Sequence, residues 1–222
     1  IINSLYNMVD QIFIGQGVGF LGNGATNIIA PIATITIAIA TLFGDGLAAF
    51  FSLSLGKGEG EKAAKGLGTS IMFGSVFGII WTVLAFAFLK PLCLIFGATE
   101  NILPYALDYG RIIVIGFAFQ IVGNTINSAI RTDGSPRYAM LSMMIGAVLN
   151  IILDPIFIFV FHWGVEGAAI ATIISQLFGL LFNIAYLFRM KTITLSRQSF
   201  TLDIRSAGRI ASLGFAGGAN NL

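Results

Sequence analysis

The chain has 222 residues and a formal net charge of +2, with 56% of its residues hydrophobic and only 10% charged. Soluble domains carry about 25% charged residues, so this composition excludes an ordinary soluble domain and predicts an integral membrane protein. One cysteine and one histidine exclude an internal disulfide, a Cys/His metal-ligand set and a Cys nucleophile supported by His. We expect no enzymatic activity, no cofactor and no nucleic-acid partner.

Long uncharged runs follow one another along the chain, at residues 11–44, 66–89, 112–130 and 167–188. Each is near or above the roughly 18 residues that a spanning helix needs, and none has the alternating pattern of a membrane barrel strand. Breaks at glycine, proline and charged clusters predict an all-α integral membrane protein, a six-helix transmembrane bundle plus the start of a seventh helix. The six helices are expected near residues 1–17, 26–55, 67–96, 101–131, 138–161 and 165–188.

Glycines and prolines interrupt this pattern of helices. Pro91, Pro104 and Pro136 are expected at helix ends, whereas Pro31 and Pro155 fall inside helices, where a proline frees the carbonyl four residues earlier. A freed carbonyl is tolerable in a membrane beside a polar cavity, so Pro155 predicts a kink next to a carboxylate; a kink that serves packing alone is the alternative. Five glycines predict a flexible outer turn: Gly15, Gly17, Gly19, Gly22 and Gly24.

Basic residues indicate the orientation of the helices. Ten of the twelve lie on alternate loops, at 56–66, 131–137 and 189–206, or at Arg209, and only Lys90 and Arg111 lie toward the other side. The positive-inside rule makes those loops cytoplasmic. It predicts a multi-pass protein of the cell (inner or plasma) membrane with a cytoplasmic amino terminus. The charged stretch 57–65 is expected to be a solvated cytoplasmic loop.

Two carboxylates, Asp10 and Asp154, lie inside stretches that are otherwise apolar enough to span a membrane. A charged side chain near the bilayer centre costs about 2.5 to 3.5 kcal/mol on insertion scales, so an intramembrane acid is a candidate for an ion, proton or substrate site. With a rise of about 1.5 Å per residue, Asp10, Asp154 and Thr172 fall roughly 10 to 12 Å below the outer helix ends.

A second polar layer lies one helical turn further in. Tyr6, Asn150 and Gln176 each stand four residues from a member of the first layer, and such pairs share a helix face. Three helices therefore offer matching polar pairs at matching depths, and we expect the pairs to converge. Two neighbouring buried carboxylates repel each other, and uptake of a proton or a hard cation with oxygen ligands relieves that repulsion.

Other polar residues are less decisive. Asn124 and Asn127 share a face and can line a cavity, but hydrogen bonding between helices explains them as well. Asp45 is expected near the cytoplasmic surface, where a solvated role is the simpler interpretation.

Four segments resemble the multidrug and toxic compound extrusion (MATE) transporters. They are LYNMVDQIFIG at residues 5–15, IRTDGSP at 130–136, LNIILDPIF at 149–157 and GVEGAAIAT at 164–172. Their order and spacing cover essentially the whole chain. The resemblance implies one lobe of a twelve-helix, two-lobe transporter: an amino-terminal six-helix lobe at 1–190, a cytoplasmic linker at 191–205 and a truncated start of helix seven at 206–222.

The resemblance also implies roles for individual residues. Asp10, Tyr6, Asn150, Asp154 and Thr172 match the family's cation- or proton-coupling positions, with H⁺ or Na⁺ as the coupling ion. Asn127 matches an asparagine lining the cavity, to which Asn124 and Gln176 are added as substrate-cavity candidates. Asp45 departs from the family pattern, because a neutral residue is expected there, and its role is left open.

The resulting hypothesis is a secondary active antiporter that exports organic, often cationic, drug-like compounds and works as a monomer in the lipid bilayer. A lipid-linked saccharide flippase of the same superfamily is the nearest alternative, although this lobe has acids and few embedded cations to hold a pyrophosphate. A membrane scaffold or receptor without transport is a second alternative, in which the buried acids would be packing elements.

Overall fold

A computed structural model describes residues 2–196, 199–200 and 203–219 of the chain, and the side chains of residues 2–7 and 216–219 fall outside that description. Every regular element within these ranges is helical, which confirms the predicted all-α architecture. The elements are α1 (Ile2–Gly17), α2 (Phe20–Gly56), α3 (Gly60–Ala87), α4 (Leu89–Ile95), α5 (Leu103–Thr132), α6 (Pro136–Pro155), a π-helical turn (Ile156–Val160), α7 (Gly164–Leu187) and α8 (Ile204–Ala219).

Five of these helical stretches are long and apolar enough to cross a membrane: α2, α3, α5, Pro136–Val160 and α7. The first expected span is α1, a helix of 16 residues. Many large apolar side chains of α3 are exposed, among them Val83 and Phe86. Phe88, directly after the last residue of α3, is exposed as well. Such a surface is suited to lipid rather than water, so the chain is a multi-pass membrane protein.

Several predicted helix boundaries were wrong. Helix α2 begins at Phe20 rather than 26, because Gly19, with φ +84°, turns the chain within a single residue. Gly22 and Gly24 are therefore helical, and Gly22 is needed for packing, since a Cβ there would lie 2.8 Å from Ile14. Helix α3 begins at Gly60 rather than 67, because lysine and glutamate extend a helix readily.

The expected helix 67–96 is divided into α3 and α4. Pro91 lies in the first turn of α4, where its missing amide hydrogen is tolerated. The same missing hydrogen leaves the carbonyl of Ala87, four residues earlier, without its helical donor, and α3 ends at that residue. Pro104 and Pro136 lie in the first turns of α5 and α6, as expected.

The helices contribute to two compact units. The first comprises Ile1–Ile35, Ile80–Phe117 and Met143–Gly179, and its core contains Ile14, Ile29, Val114 and Phe117. The second comprises Thr36–Ile79, Ala118–Ser142 and Leu180–Leu222. Its two apolar clusters contain Leu47, Phe51, Leu67 and Ile210, and Ile126, Ile130 and Tyr186.

A buried carboxylate fastens the segment that follows α7. Asp133, in the α5–α6 turn, is only 1% exposed. It accepts hydrogen bonds from the Tyr186 hydroxyl at 2.8 Å, the Lys191 amide at 2.9 Å, the Thr192 amide at 3.0 Å and the Thr192 hydroxyl. Burial by itself raises the pKa of Asp133, but these hydrogen bonds outweigh burial and hold the pKa below the ordinary 3.8.

We predict that Asp133→Asn destabilises the protein by about 1.5 to 3 kcal/mol, the usual contribution of a hydrogen bond to a charged group. A carboxyl whose pKa is lowered by folding stabilises the folded state above its unfolded pKa, and that contribution disappears as pH falls through the folded pKa. The difference between wild type and variant is therefore complete above pH 3.8 and shrinks below it.

The measurement is thermal unfolding of the full-length protein in detergent over a series of pH values. Glu166→Gln is the matched control, because Glu166 is an exposed acid in the first turn of α7. Equal stability of wild type and Asp133→Asn near neutral pH would show that the hydrogen bonds at Asp133 contribute nothing.

Candidate functional site

The two acids singled out by the sequence are neighbours in the first compact unit. Asp10 on α1 is 7% exposed and Asp154, near the end of α6, is fully buried. Their carboxyl groups are close enough to act directly on each other. A hydrogen bond between two carboxyl groups requires that one of them carry a proton, since an ionised carboxylate can only accept.

Asn150 connects this acid pair to a third helix. Its side chain stands one turn before Asp154 on α6, and its amide nitrogen donates to Asp154 Oδ1 at 3.1 Å and toward Thr172 Oγ1 on α7 at 3.3 Å. The structure thus brings together four of the five predicted coupling residues from α1, α6 and α7. Tyr6, the fifth, has a side chain outside the described residues.

Several oxygen atoms of this group are buried without a hydrogen-bond partner in the described part of the chain: Asp10 Oδ1, Asn150 Oδ1 and Asp154 Oδ2. A buried polar atom left unpaired costs about 1 to 3 kcal/mol. Two carboxyl groups, an amide oxygen and the Thr172 hydroxyl form an oxygen-only set, which suits a hard cation or a proton rather than a thiophilic metal.

The helix changes character directly after Asp154. Pro155 ends α6 and cannot donate to the carbonyl of Ile151, and the next five residues form the π-helical turn, in which the Phe161 amide donates to the Ile156 carbonyl at 3.0 Å. Pro155, where the sequence predicts a kink, is therefore followed by a π-helical turn, a feature that is frequent at functional sites.

Gln176, the inner partner of Thr172, lies against the backbone of α5. A Cβ on Gly116 would fall 2.4 Å from Gln176 Oε1, and that oxygen has no hydrogen-bond partner among the described residues. The absence of a side chain at Gly116 leaves the space that the side-chain amide of Gln176 occupies. No hydrogen bond between Gln176 and the Asp10–Asp154 group is present within the described ranges.

The two asparagines of α5 belong to the second compact unit. Asn127 is 4% exposed and donates to the Ala139 carbonyl and to the Ser142 hydroxyl, both at 3.0 Å. Hydrogen bonding between α5 and α6, one of the two interpretations left open by the sequence, is thus present. Asn124 is half-buried, and Asp45 on α2 is exposed. Their roles, and that of Asn127 in a substrate cavity, stay predictions.

A polar pair beside the acids was not foreseen. Gln11, the neighbour of Asp10, donates from Nε2 to Thr26 Oγ1 at 2.8 Å, and the Thr26 hydroxyl lies 3.2 Å from Gln11 Oε1. This pair joins α1 to α2. Nothing in the spacing of residues 11 and 26 indicates it, because the turn at Gly19 decides which faces meet.

We predict that Asn150→Ala lowers the free energy of unfolding by about 1 to 3 kcal/mol, because it removes a donor from buried Asp154 and from Thr172. The matched control is Asn101→Ala, at an exposed position where substitutions usually change stability by less than about 0.5 kcal/mol. Unfolding of the two full-length variants in detergent measures the difference. Equal stability of the variants would mean that the amide does not hold α6 and α7 together.

Comparison with protein-family models gives a match to the MatE family over residues 1–156. The multidrug export protein MepA of Staphylococcus haemolyticus is 34% identical over 199 residues, which are 88% of this chain and 44% of that protein. MepA of a Staphylococcus aureus strain is 30% identical over 190 residues, 84% of this chain and 41% of that protein. The chain thus spans less than half the length of these relatives.

Solved structures agree with the sequence relatives. A MATE in the bent conformation superposes with a TM-score of 0.90 at 28% identity, over 96% of this chain and 48% of that one. An inward-facing multidrug resistance MATE family transporter of the MOP superfamily gives a TM-score of 0.89 at 28% identity, with the same coverage of both chains. The matched family model covers well over half of the chain, and the chain belongs to the MatE family of transporters.

Proposed function

We propose that the protein works as a secondary active efflux antiporter, which exports organic, often cationic, compounds in exchange for H⁺ or Na⁺. The observation that carries this proposal is the convergence of Asp10, Asn150 and Asp154, each with a buried oxygen that lacks a partner among the described residues. Multidrug export by the MepA relatives supports the same direction of transport.

The acid pair provides the coupling site in this proposal. In the outward-facing state it takes up one cation from outside, either as a proton on a carboxyl oxygen or as Na⁺ held by the oxygens of Asp10, Asn150, Asp154 and Thr172. Neutralising the pair removes the repulsion between the carboxylates. The ion leaves to the cytoplasm once the transporter faces inward, and the two carboxylates then repel each other again.

The π-helical turn after Pro155 links the site to conformational change. The amide donor missing at Pro155 weakens the helix next to Asp154, so the end of α6 can repack at low cost when the charge of the pair changes. Rocking of two lobes around a site near the bilayer midplane is the usual way in which such a local change alternates access.

Several further properties belong to the proposal. The amino terminus is cytoplasmic, because most basic residues lie on alternate loops. The substrates are drug-like small molecules, the protein acts as a monomer in the bilayer, and no cofactor takes part. The side chains that converge in the first unit are acidic rather than basic. This favours coupling to a cation over recognition of a lipid-linked pyrophosphate, which the flippase alternative requires.

We predict that Asp10→Asn and Asp154→Asn each reduce gradient-driven efflux to background, because an amide cannot take up a proton and offers no charge to Na⁺. Both variants should remain in the membrane, since a neutral amide is less costly there than a charged carboxylate. The measurement is efflux of a fluorescent cationic dye from energised vesicles that contain the full-length protein, with the H⁺ and Na⁺ gradients imposed separately.

The matched control is Glu100→Gln, at an exposed acid between α4 and α5, which should transport like wild type. Full transport by both aspartate variants would refute coupling at this site. Absence of dye efflux from the wild-type protein under either gradient would instead refute multidrug antiport and favour the flippase or a protein without transport.

A further inference from the structure

A small, open cleft lies in the second compact unit where α2 ends and α3 begins. One residue of α8 completes its wall. Its lining consists of Phe50, Leu53, Ser54, Lys57, Glu59, Lys62 and Arg209. The sequence predicted only a solvated loop here, but Lys62 stands on the first turn of α3 and Arg209 comes from α8, so the basic side chains surround a formed recess.

The charges in this cleft do not cancel. Lys62 Nζ and Glu59 Oε2 form an ion pair at 2.9 Å. Lys57 and Arg209 form no ion pair within the described part of the chain, although both act on the same carboxylate from longer range. The hydrogen bond and charge of Lys62 lower the pKa of Glu59, and the charges of Lys57 and Arg209 add to this effect. Three cations face one acid, which leaves a net positive recess.

Backbone geometry makes the recess accessible to an anion. Gly56, Gly58 and Gly60 have open space where a Cβ would stand, and Gly58 has φ +73°. The amides at the start of α3, a helix of 28 residues, carry the positive end of its macrodipole. No side chain at these three glycines obstructs the approach of an oxyanion to the lysine and arginine groups.

The apolar residues on one side of the cleft favour a lipid over a free anion as its ligand. Phe50 forms a buried floor at 4% exposure, while Leu53 on the next turn is 52% exposed. Both α2 and α3 are long and apolar enough to cross a membrane, so a cleft at their shared end is expected at the level of the lipid headgroups. A headgroup in the cleft would leave its acyl chains beside Leu53 and the outer surface of α2.

We propose that this cleft binds the phosphate of an anionic phospholipid from the adjoining leaflet, with Lys57 and Arg209 as the principal cations. Basic recesses at the ends of membrane helices bind anionic headgroups, and each nearby Lys or Arg contributes about 1 kcal/mol. The proposal does not depend on the transport activity, since its measurement is lipid binding alone.

The test uses the full-length protein in nanodiscs of phosphatidylcholine with a minor fraction of phosphatidylglycerol, and native mass spectrometry counts the phosphatidylglycerol that stays bound. Lys57→Gln and Arg209→Gln should each weaken retention about fivefold, and the double variant about 30-fold, as expected from about 1 kcal/mol for each cation. Lys57→Arg keeps the positive charge and should therefore retain phosphatidylglycerol as the wild type does.

Lys65→Gln is the matched control, because it removes the same charge from an exposed position of α3 that does not line the cleft. Equal loss in this control would overturn the proposal in favour of diffuse surface attraction. Displacement of phosphatidylglycerol by millimolar inorganic phosphate would also overturn it, because the cleft would then be a site for soluble anions. Equal retention of phosphatidylglycerol and phosphatidylcholine by the wild type would exclude a selective site.

Discussion

Two carboxyl groups buried side by side impose the strongest constraint on this molecule. Asp10 lies in the first predicted helix and Asp154 in the fifth. Neither forms an ion pair with a basic side chain within the described ranges, where Lys62–Glu59 is the one ion pair. A shared proton or a bound cation would remove the repulsion between the two carboxylates. In the proposed cycle, the contacts of α1, α6 and α7 around Asn150 accommodate this exchangeable charge.

A comparison with Asp133 shows why burial alone does not identify a functional acid. Asp133 is as inaccessible as Asp154, but four donors satisfy both of its oxygens. Asp154 Oδ1 receives one hydrogen bond from Asn150, and Asp154 Oδ2 has no hydrogen-bond partner among the described residues. A fully satisfied carboxylate stabilises one conformation, whereas an incompletely satisfied one leaves room for an ion.

Local periodicity made part of the site predictable from the sequence. The pair Asn150 and Asp154 shares a face because four residues make about one helical turn, and the uncharged runs indicated the spanning helices. The donors to Asp133 lie 53 to 59 residues further along the chain, so no local pattern indicates them. No local pattern indicates the hydrogen bond from Asn127 to Ser142 or the pair of Gln11 and Thr26 either. These contacts depend on how the chain turns between helices at Gly134 and Gly19.

The π-helical turn lies directly after the buried acid Asp154. A transporter needs an element with two arrangements of similar free energy, and a continuous helix with every amide bonded is a poor candidate. Pro155 removes one backbone hydrogen bond directly beside the incompletely satisfied Asp154, and the following residues Ile156–Val160 adopt the wider turn. The π-helical turn thus lies next to the charge that changes in the proposed cycle. Placed one turn away from the acid, the same interruption would respond less to its protonation, because the interaction weakens with distance.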